Sequence, residues 1–143
     1  MLQASGSFIF YTMDITLLPL IETTTPHGVF FNEHGVAKRG LRYTFKFQKL
    51  TVEFKTCAIN GIWAGEYCIN TNLWGVSSPI VRRDFKFTSF DECVTHLWMR
   101  AVDYIHTNKS NVSMEYLHFK VAMKKWLSLS VEDKFSWFKE SEL

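Results

Sequence analysis

The sequence predicts an α+β fold in which two or three C-terminal helices cover an antiparallel sheet of four to six strands. Residues 14–88 mainly show the period of two that is typical of strands, and residues 89–141 mainly show helical spacing. Strands first and helices last favour separate layers over alternating β–α units. We expect one domain over residues 1–143, with residues 1–12 read as an extension before an alternative start at Met13.

The strand signal is clearest in the stretch RYTFKFQKLTVEFKTC at residues 42–57. Aromatic residues at positions 43, 45 and 47 alternate with polar ones, and apolar residues at positions 50, 52 and 54 do the same. The phase changes between these two runs, which predicts a hairpin at Gln48 and Lys49 or a β-bulge. Asn60 and Gly61 form the strongest hairpin-turn signal of the chain.

Shorter apolar runs extend the predicted sheet on both sides of this hairpin region. The runs DITLLPLI at residues 14–21 and GVFFN at residues 28–32 are candidate strands. The run VRRDFKF at residues 81–87 is the last candidate strand. Its period of two places Phe85 and Phe87 on one face and leaves Arg83 and Lys86 exposed.

Three helices are predicted after residue 88. Ser89 and Glu92 have the spacing of a capping box at the start of the first helix, Ser113 opens the second, and Ser130 with Asp133 caps a short third. Apolar side chains share one face of each helix, and we expect the faces with Trp98 and Trp126 in the core. These side chains are Val94, Leu97, Trp98, Ala101, Val102 and Ile105, then Tyr116, Phe119, Met123, Trp126 and Leu127, then Val131, Phe135 and Phe138.

The charge distribution limits the classes of partner. The net charge of +2 is low for a nucleic-acid-binding protein, although residues 38–55 carry six basic residues and one acid. A basic sheet face is predicted at Lys38, Arg39, Arg42, Lys46, Lys49, Arg82 and Arg83. Interleaved aromatic residues would allow such a face to stack single-stranded bases. Strict alternation places those rings on the opposite side, however, so a nucleic-acid-binding module is the alternative interpretation.

The cysteines and histidines show no metal-site spacing. Cys57, Cys68 and Cys93 form no C-x-x-C pair, and the five histidines lack the HExxH pattern, so we expect no metal and no cofactor. Three scattered cysteines predict free thiols and an intracellular, cytoplasmic protein. No apolar run approaches the roughly 20 residues that a membrane span needs, so no membrane partner is expected.

No catalytic signature is present, and we expect no enzymatic activity. Cys93 lies in the first turn of the predicted first helix, where the helix dipole could lower its pKa, but we favour its interpretation as a small apolar residue of that turn. Glu66 lies in a segment with few other charges, where a carboxylate could act as an acid or a base. A small enzyme that uses Glu66, a histidine or a cysteine is the second alternative.

Residues 61–80 combine two tryptophans with a run of Asn, Thr and Ser. This composition is typical of binding surfaces, in which rigid aromatic anchors are surrounded by adaptable polar groups. Whether Trp74 belongs to a recognition loop or closes over the core depends on its exposure. The predicted partner-binding residues are Trp63, Glu66, Tyr67, Asn70, Asn72 and Trp74.

Residues 55–105 resemble small accessory proteins of phages and other mobile elements. The matching pieces are GIWAGEYC, LWGVSSPI and DFKFTSFDECVTHL, which give a Trp/Gly-bearing hairpin, a Ser-Pro turn, a further strand and a capped helix. Host-defence inhibitors of this type, including anti-CRISPR and anti-restriction proteins, are compact and non-enzymatic. The resemblance implies a phage-encoded inhibitor that occludes a surface of a larger host protein or ribonucleoprotein, such as a defence nuclease, in the host cytoplasm.

Overall fold

The structure is a computed structural model that describes residues 35–143. It confirms the α+β class, with a five-stranded antiparallel sheet in the spatial order β4-β3-β2-β1-β5. The strands are β1 (Arg39–Lys46), β2 (Leu50–Ile59), β3 (Ile62–Thr71), β4 (Gly75–Ser77) and β5 (Lys139–Glu142). The candidate strands at 14–21 and 28–32, residues 1–12, His27 and His34 lie outside the described residues.

The two predicted hairpins are confirmed. Asn60 and Gly61 have φ values of 52° and 81°, and they connect β2 to β3 as the two central residues of a tight turn. Gln48 and Lys49 connect β1 to β2, where the Phe47 N–H donates to the Leu50 carbonyl at 2.8 Å. The change of phase in the sequence is therefore a turn and not a bulge.

Three α-helices follow the first four strands, as the sequence predicts. They are α1 (Phe90–Thr107), α2 (Ser113–Leu127) and α3 (Val131–Ser136). The predicted caps are present, because Ser89 Oγ accepts from the Glu92 N–H at 3.0 Å and Ser130 Oγ accepts from the Asp133 N–H at 3.2 Å.

Apolar residues pack on both sides of the sheet. The main cluster lies between the sheet and the helices, and it includes Phe45, Phe54 and the fully buried Trp98 and Trp126. A second cluster lies on the opposite side of the sheet. Its buried members are Ala37, Cys57, Ile59, Ala64, Ile80 and Phe85. The end of β2 that carries Cys57 and Ile59 is therefore buried on both faces.

The prediction of a strand at residues 81–87 is wrong. The carboxylate of Asp84 accepts from the Val81 N–H at 2.9 Å, and this local bond folds the chain into a 3₁₀ turn at Arg82–Asp84. Phe85 and Phe87 are buried as expected, but Phe85 joins the second cluster while Phe87 forms an isolated bridge with Trp63. Because the chain after this turn does not run as a strand, the two side chains do not share one face of the sheet.

Strand β5 was not predicted, because residues 139–142 carry only polar side chains. It lies beside β1, where Arg39 pairs with Glu142 and Arg42 with Lys139. Backbone pairing at the edge of the sheet holds this segment, and such pairing leaves no apolar pattern in the sequence.

The ends of α2 and α3 also differ from the predicted apolar faces. Leu127 is 39% exposed because it is the last residue of α2, where the chain turns away toward α3. Val131 is exposed at the first residue of α3, and Phe138 is buried beyond the end of that helix. The inner face of α2 therefore rests on Tyr116, Phe119 and Trp126.

Strand β3 has a short open edge. Strand β4 pairs only with residues 68–70 of β3, and Phe87 pairs with Trp63. Within the described part of the chain, no strand pairs with the residues of β3 between these two contacts on that side.

Candidate protein-binding surface

The aromatic side chains of the predicted binding segment pack against the protein itself. The Trp63 ring lies 5.2 Å from the Phe90 ring and 6.4 Å from the Phe135 ring, measured between centroids. Tyr67 is buried on the same side of the sheet. Trp63 and Tyr67 therefore contribute to the layer between sheet and helices.

Trp74 closes over the core. Its indole N–H donates to Asn111 Oδ1 at 3.2 Å, and its ring lies 5.8 Å from the Tyr104 ring. Thr71 Oγ1 holds the turn by accepting from the backbone N–H groups of Leu73 and Trp74. The tip of this turn is Leu73, whose surface is 71% exposed.

Glu66 lies at the open edge of β3, in a partly buried ion pair. Arg100 Nη1 is 3.7 Å from Glu66 Oε1. Burial raises the pKa of the Glu66 carboxyl, and the negative charge of Asp84 raises this pKa further. The cations Arg100, Lys55 and Lys86 lower it in part. Glu66 is thus a charged group that its surroundings only partly stabilise.

Cys93 lies close enough to Glu66 for the two groups to interact electrostatically. Cys93 is buried in the first turn of α1, as expected of the small apolar residue that the sequence favours. The alternative of a lowered thiol pKa is wrong, because burial raises the pKa of Cys93 well above its usual range and Glu66 adds to this. Burial, Arg100 and Lys86 lower the pKa of the neighbouring His96. Cys93 has no exposed surface, and its burial disfavours the thiolate, which is the nucleophilic form of a cysteine.

The predicted basic face divides into two groups. Lys38 and Arg39 lie at the start of β1, while Lys46 ends the strand and Lys49 follows it in the turn. Eight residues of strand separate the ends by about 24 Å.

The middle of this face is neutralised. Arg42 Nε lies 3.2 Å from Glu53 Oε2, and Arg42 also donates to the Glu142 carbonyl. Arg82 and Arg83 occupy the 3₁₀ turn outside the sheet. The structure does not form one continuous basic stripe from these residues.

Two turns at one end of the sheet enclose an open groove of about 400 Å³. It brings together Asn70 and Asn72 from the predicted binding residues and Lys49 from the predicted basic face. The remaining lining residues are Gln48, Leu50, Thr51 and Thr71.

Two hydrogen bonds connect residues of the groove to α2 and to the segment just before it. The buried Glu115 carboxylate of α2 accepts from the Lys49 N–H at 3.1 Å, and Asn72 Oδ1 accepts from Asn111 at 3.3 Å. Asn111 lies just before α2, so the groove and the start of α2 share one end of the molecule.

The outer face of α2 carries three exposed apolar side chains. Met114 is 61% exposed, Leu117 is 52% exposed and Val121 is 65% exposed. Steps of three and four residues place them in one row, which we call the outer row, on the opposite side of the helix from Phe119 and Trp126. Single exposed apolar residues are ordinary, but a row of them marks an interaction surface.

The sequence interpretation missed this row, although its spacing was visible. Met114, Leu117 and Val121 were not predicted as binding residues, because their exposure depends on which face of the helix meets the sheet. A helix that is apolar on two opposite faces is typical of one that is covered on both.

The part of the chain that the structure describes offers few other kinds of site. No cluster of three or more His, Cys, Asp and Glu side chains among residues 35–143 could hold a metal ion. None of the helices in this region is long and apolar enough to cross a membrane. All three cysteines are free thiols, as the sequence predicts.

Comparison with protein-family models, with curated proteins and with solved structures found no match for this chain. The candidate surface therefore rests on the geometry of the described residues.

Proposed function

We propose that this chain is a non-enzymatic binding protein that occludes a functional surface of a larger partner protein. The outer row of α2 is the observation that carries the proposal, because three large apolar side chains remain in water on a helix whose other face is packed. Burying such side chains against a partner provides the main favourable free energy of most protein associations.

The groove beside α2 supplies a polar border for the same interface. Protein interfaces commonly place apolar side chains at the centre and hydrogen-bonding groups at the rim. Asn70, Asn72 and Lys49 are exposed, and they lie at the end of the molecule where α2 begins. The resemblance to host-defence inhibitors supports a host nuclease or ribonucleoprotein as the partner.

The test compares two double variants of the full chain in affinity purification from a lysate of the native host. The first, Leu117→Ser with Val121→Ser, removes most of the outer row. The control, Met99→Ser with Val131→Ser, changes residues of nearly equal exposure elsewhere, since Met99 is 52% exposed and Val131 is 62% exposed. Each substitution should change the free energy of unfolding by no more than about 0.5 kcal/mol, which urea denaturation would verify.

The wild type and the control should capture the same partner, and the outer-row variant should bind it about tenfold less tightly or worse. The affinities are then measured by titration with the purified partner. Equal binding by all three proteins would refute the proposal, as would a wild type that captures no partner.

A further inference from the structure

The apolar residues of the outer row are bordered by cations. A helix turns about 100° per residue, so Lys120 and Lys124 lie on one side of the row and Lys125 on the other. Lys124 and Lys125 are exposed, and Lys120 lies 5.1 Å from the centre of the Tyr116 ring. Within the described residues none of these three ammonium groups forms an ion pair.

No carboxylate of α2 balances these lysines at its outer face. The only acid of the helix is Glu115, which is buried and accepts from the Lys49 N–H. The outer face of α2 is therefore apolar along its middle and positive along both borders.

We propose that the outer face of α2 binds an acidic amphipathic helix of the partner protein. This inference rests on the proposed function and specifies the partner's chemistry. Apolar side chains of the incoming helix pack between Met114, Leu117 and Val121, and its Glu or Asp residues face the bordering lysines. Ion pairs beside an apolar seam select partner and orientation in the same way between paired helices.

The dimensions of the surface fit a helix. Residues 114–125 rise about 16 Å along α2, which corresponds to three turns of a partner helix. A second copy of this chain would bring its own lysines against the same lysines, and such like-charge contacts are unfavourable. A nucleic acid would leave the apolar row without a matching partner, because phosphates contact cations.

The test uses three designed helical peptides that share one row of leucines and carry Glu, Gln or Lys at the flanking positions. Their binding to the full chain is measured by fluorescence anisotropy. The Glu peptide should bind about tenfold more tightly than the Lys peptide, with the Gln peptide between them. In the variant Lys124→Glu with Lys125→Glu, this order should reverse.

A control with the same change of net charge is Lys46→Glu with Lys139→Glu, which alters two exposed lysines on the sheet. It should keep the order of the wild type. The inference is overturned if flanking charge has no effect, if both charge variants respond equally, or if no peptide binds at ~1 mM. It also fails if analytical ultracentrifugation shows that the outer row pairs two copies of the chain.

Failure of the inference is distinguishable from failure of the proposed function. If Leu117→Ser with Val121→Ser loses the captured partner but Lys124→Glu with Lys125→Glu keeps it, the partner does not present an acidic helix and the binding function stands. If both variants keep the partner, the α2 interface itself is excluded.

Discussion

Glu66 links folding stability to pH through its partly buried carboxyl. Burial and the charge of Asp84 raise its pKa above the ordinary value of 4.5 in the folded chain. The unfolded chain therefore loses this proton first as the pH rises, and the folded chain loses it later. The contribution of Glu66 to stability is fully present below the ordinary value and is lost as the pH rises through the folded pKa.

We predict that Glu66→Gln raises the free energy of unfolding at pH 7, because the neutral amide removes an incompletely stabilised charge. The gain should shrink below pH 4.5, where the carboxyl is protonated in both states. Urea denaturation at the two pH values measures this difference. The exposed Glu140→Gln is the control and should show no such dependence. A Glu66→Gln variant that is less stable than the wild type at pH 7 would contradict the prediction.

At the scale of elements, local signals in the sequence predicted several caps, faces and turns whose responsible bonds are local. The Ser89 cap, the buried face of α1 and the Asn60 turn all depend on neighbours within a few residues. Strand β5 could not be predicted, since its pairing with β1 joins Arg39 to Glu142 across the chain. At Arg82–Asp84 a side-chain bond from Asp84 overrode the strand pattern.

We predict that Ser89→Ala destabilises the protein by about 1 kcal/mol, because the Glu92 N–H at the start of α1 loses its hydrogen-bond acceptor. Ser110→Ala is the matched control, since this exposed serine forms no side-chain hydrogen bond within the described residues. Its effect should be no more than about 0.5 kcal/mol. Thermal or urea unfolding measures both, and equal effects would argue against the cap.

At the scale of the whole molecule, the sheet has apolar clusters on both sides and β2 lies between its neighbours β1 and β3. The last residues of β2, which include Cys57 and Ile59, are buried from both directions. By contrast, β4 has three residues on the edge of the sheet and is mostly exposed. The two strands should therefore differ in local stability.

Native-state hydrogen exchange tests this difference. Amides in the second half of β2 should exchange most slowly, at rates set by global unfolding, while those of β4 exchange through local opening. The two strands should respond differently to low urea, with β4 amides nearly insensitive to it. Similar protection in β2 and β4 would show that the two clusters do not stabilise the centre of the sheet.

The candidate site could be predicted only in part, because exposure is a property of the whole molecule. Asn70, Asn72 and Lys49 were recognised by type, but their convergence depends on two turns meeting at one end of the sheet. Trp63 and Trp74 were predicted as anchors for a partner, but Trp63 contacts Phe90 and Trp74 donates to Asn111. Both contacts join residues that are far apart in the sequence, so the segment alone could not reveal them.

Within the described residues, the open edge of β3 also bears on aggregation. An unpaired strand edge is a template on which another chain can add a strand and begin an aggregate. Arg100 lies beside this edge, with its guanidinium 4.9 Å from the centre of the Tyr67 ring and in an ion pair with Glu66. An incoming strand would have to displace both charges and strip them of water. We therefore expect the carboxylate of Glu66, whose partly buried charge should cost a single molecule stability, to hinder strand addition between molecules.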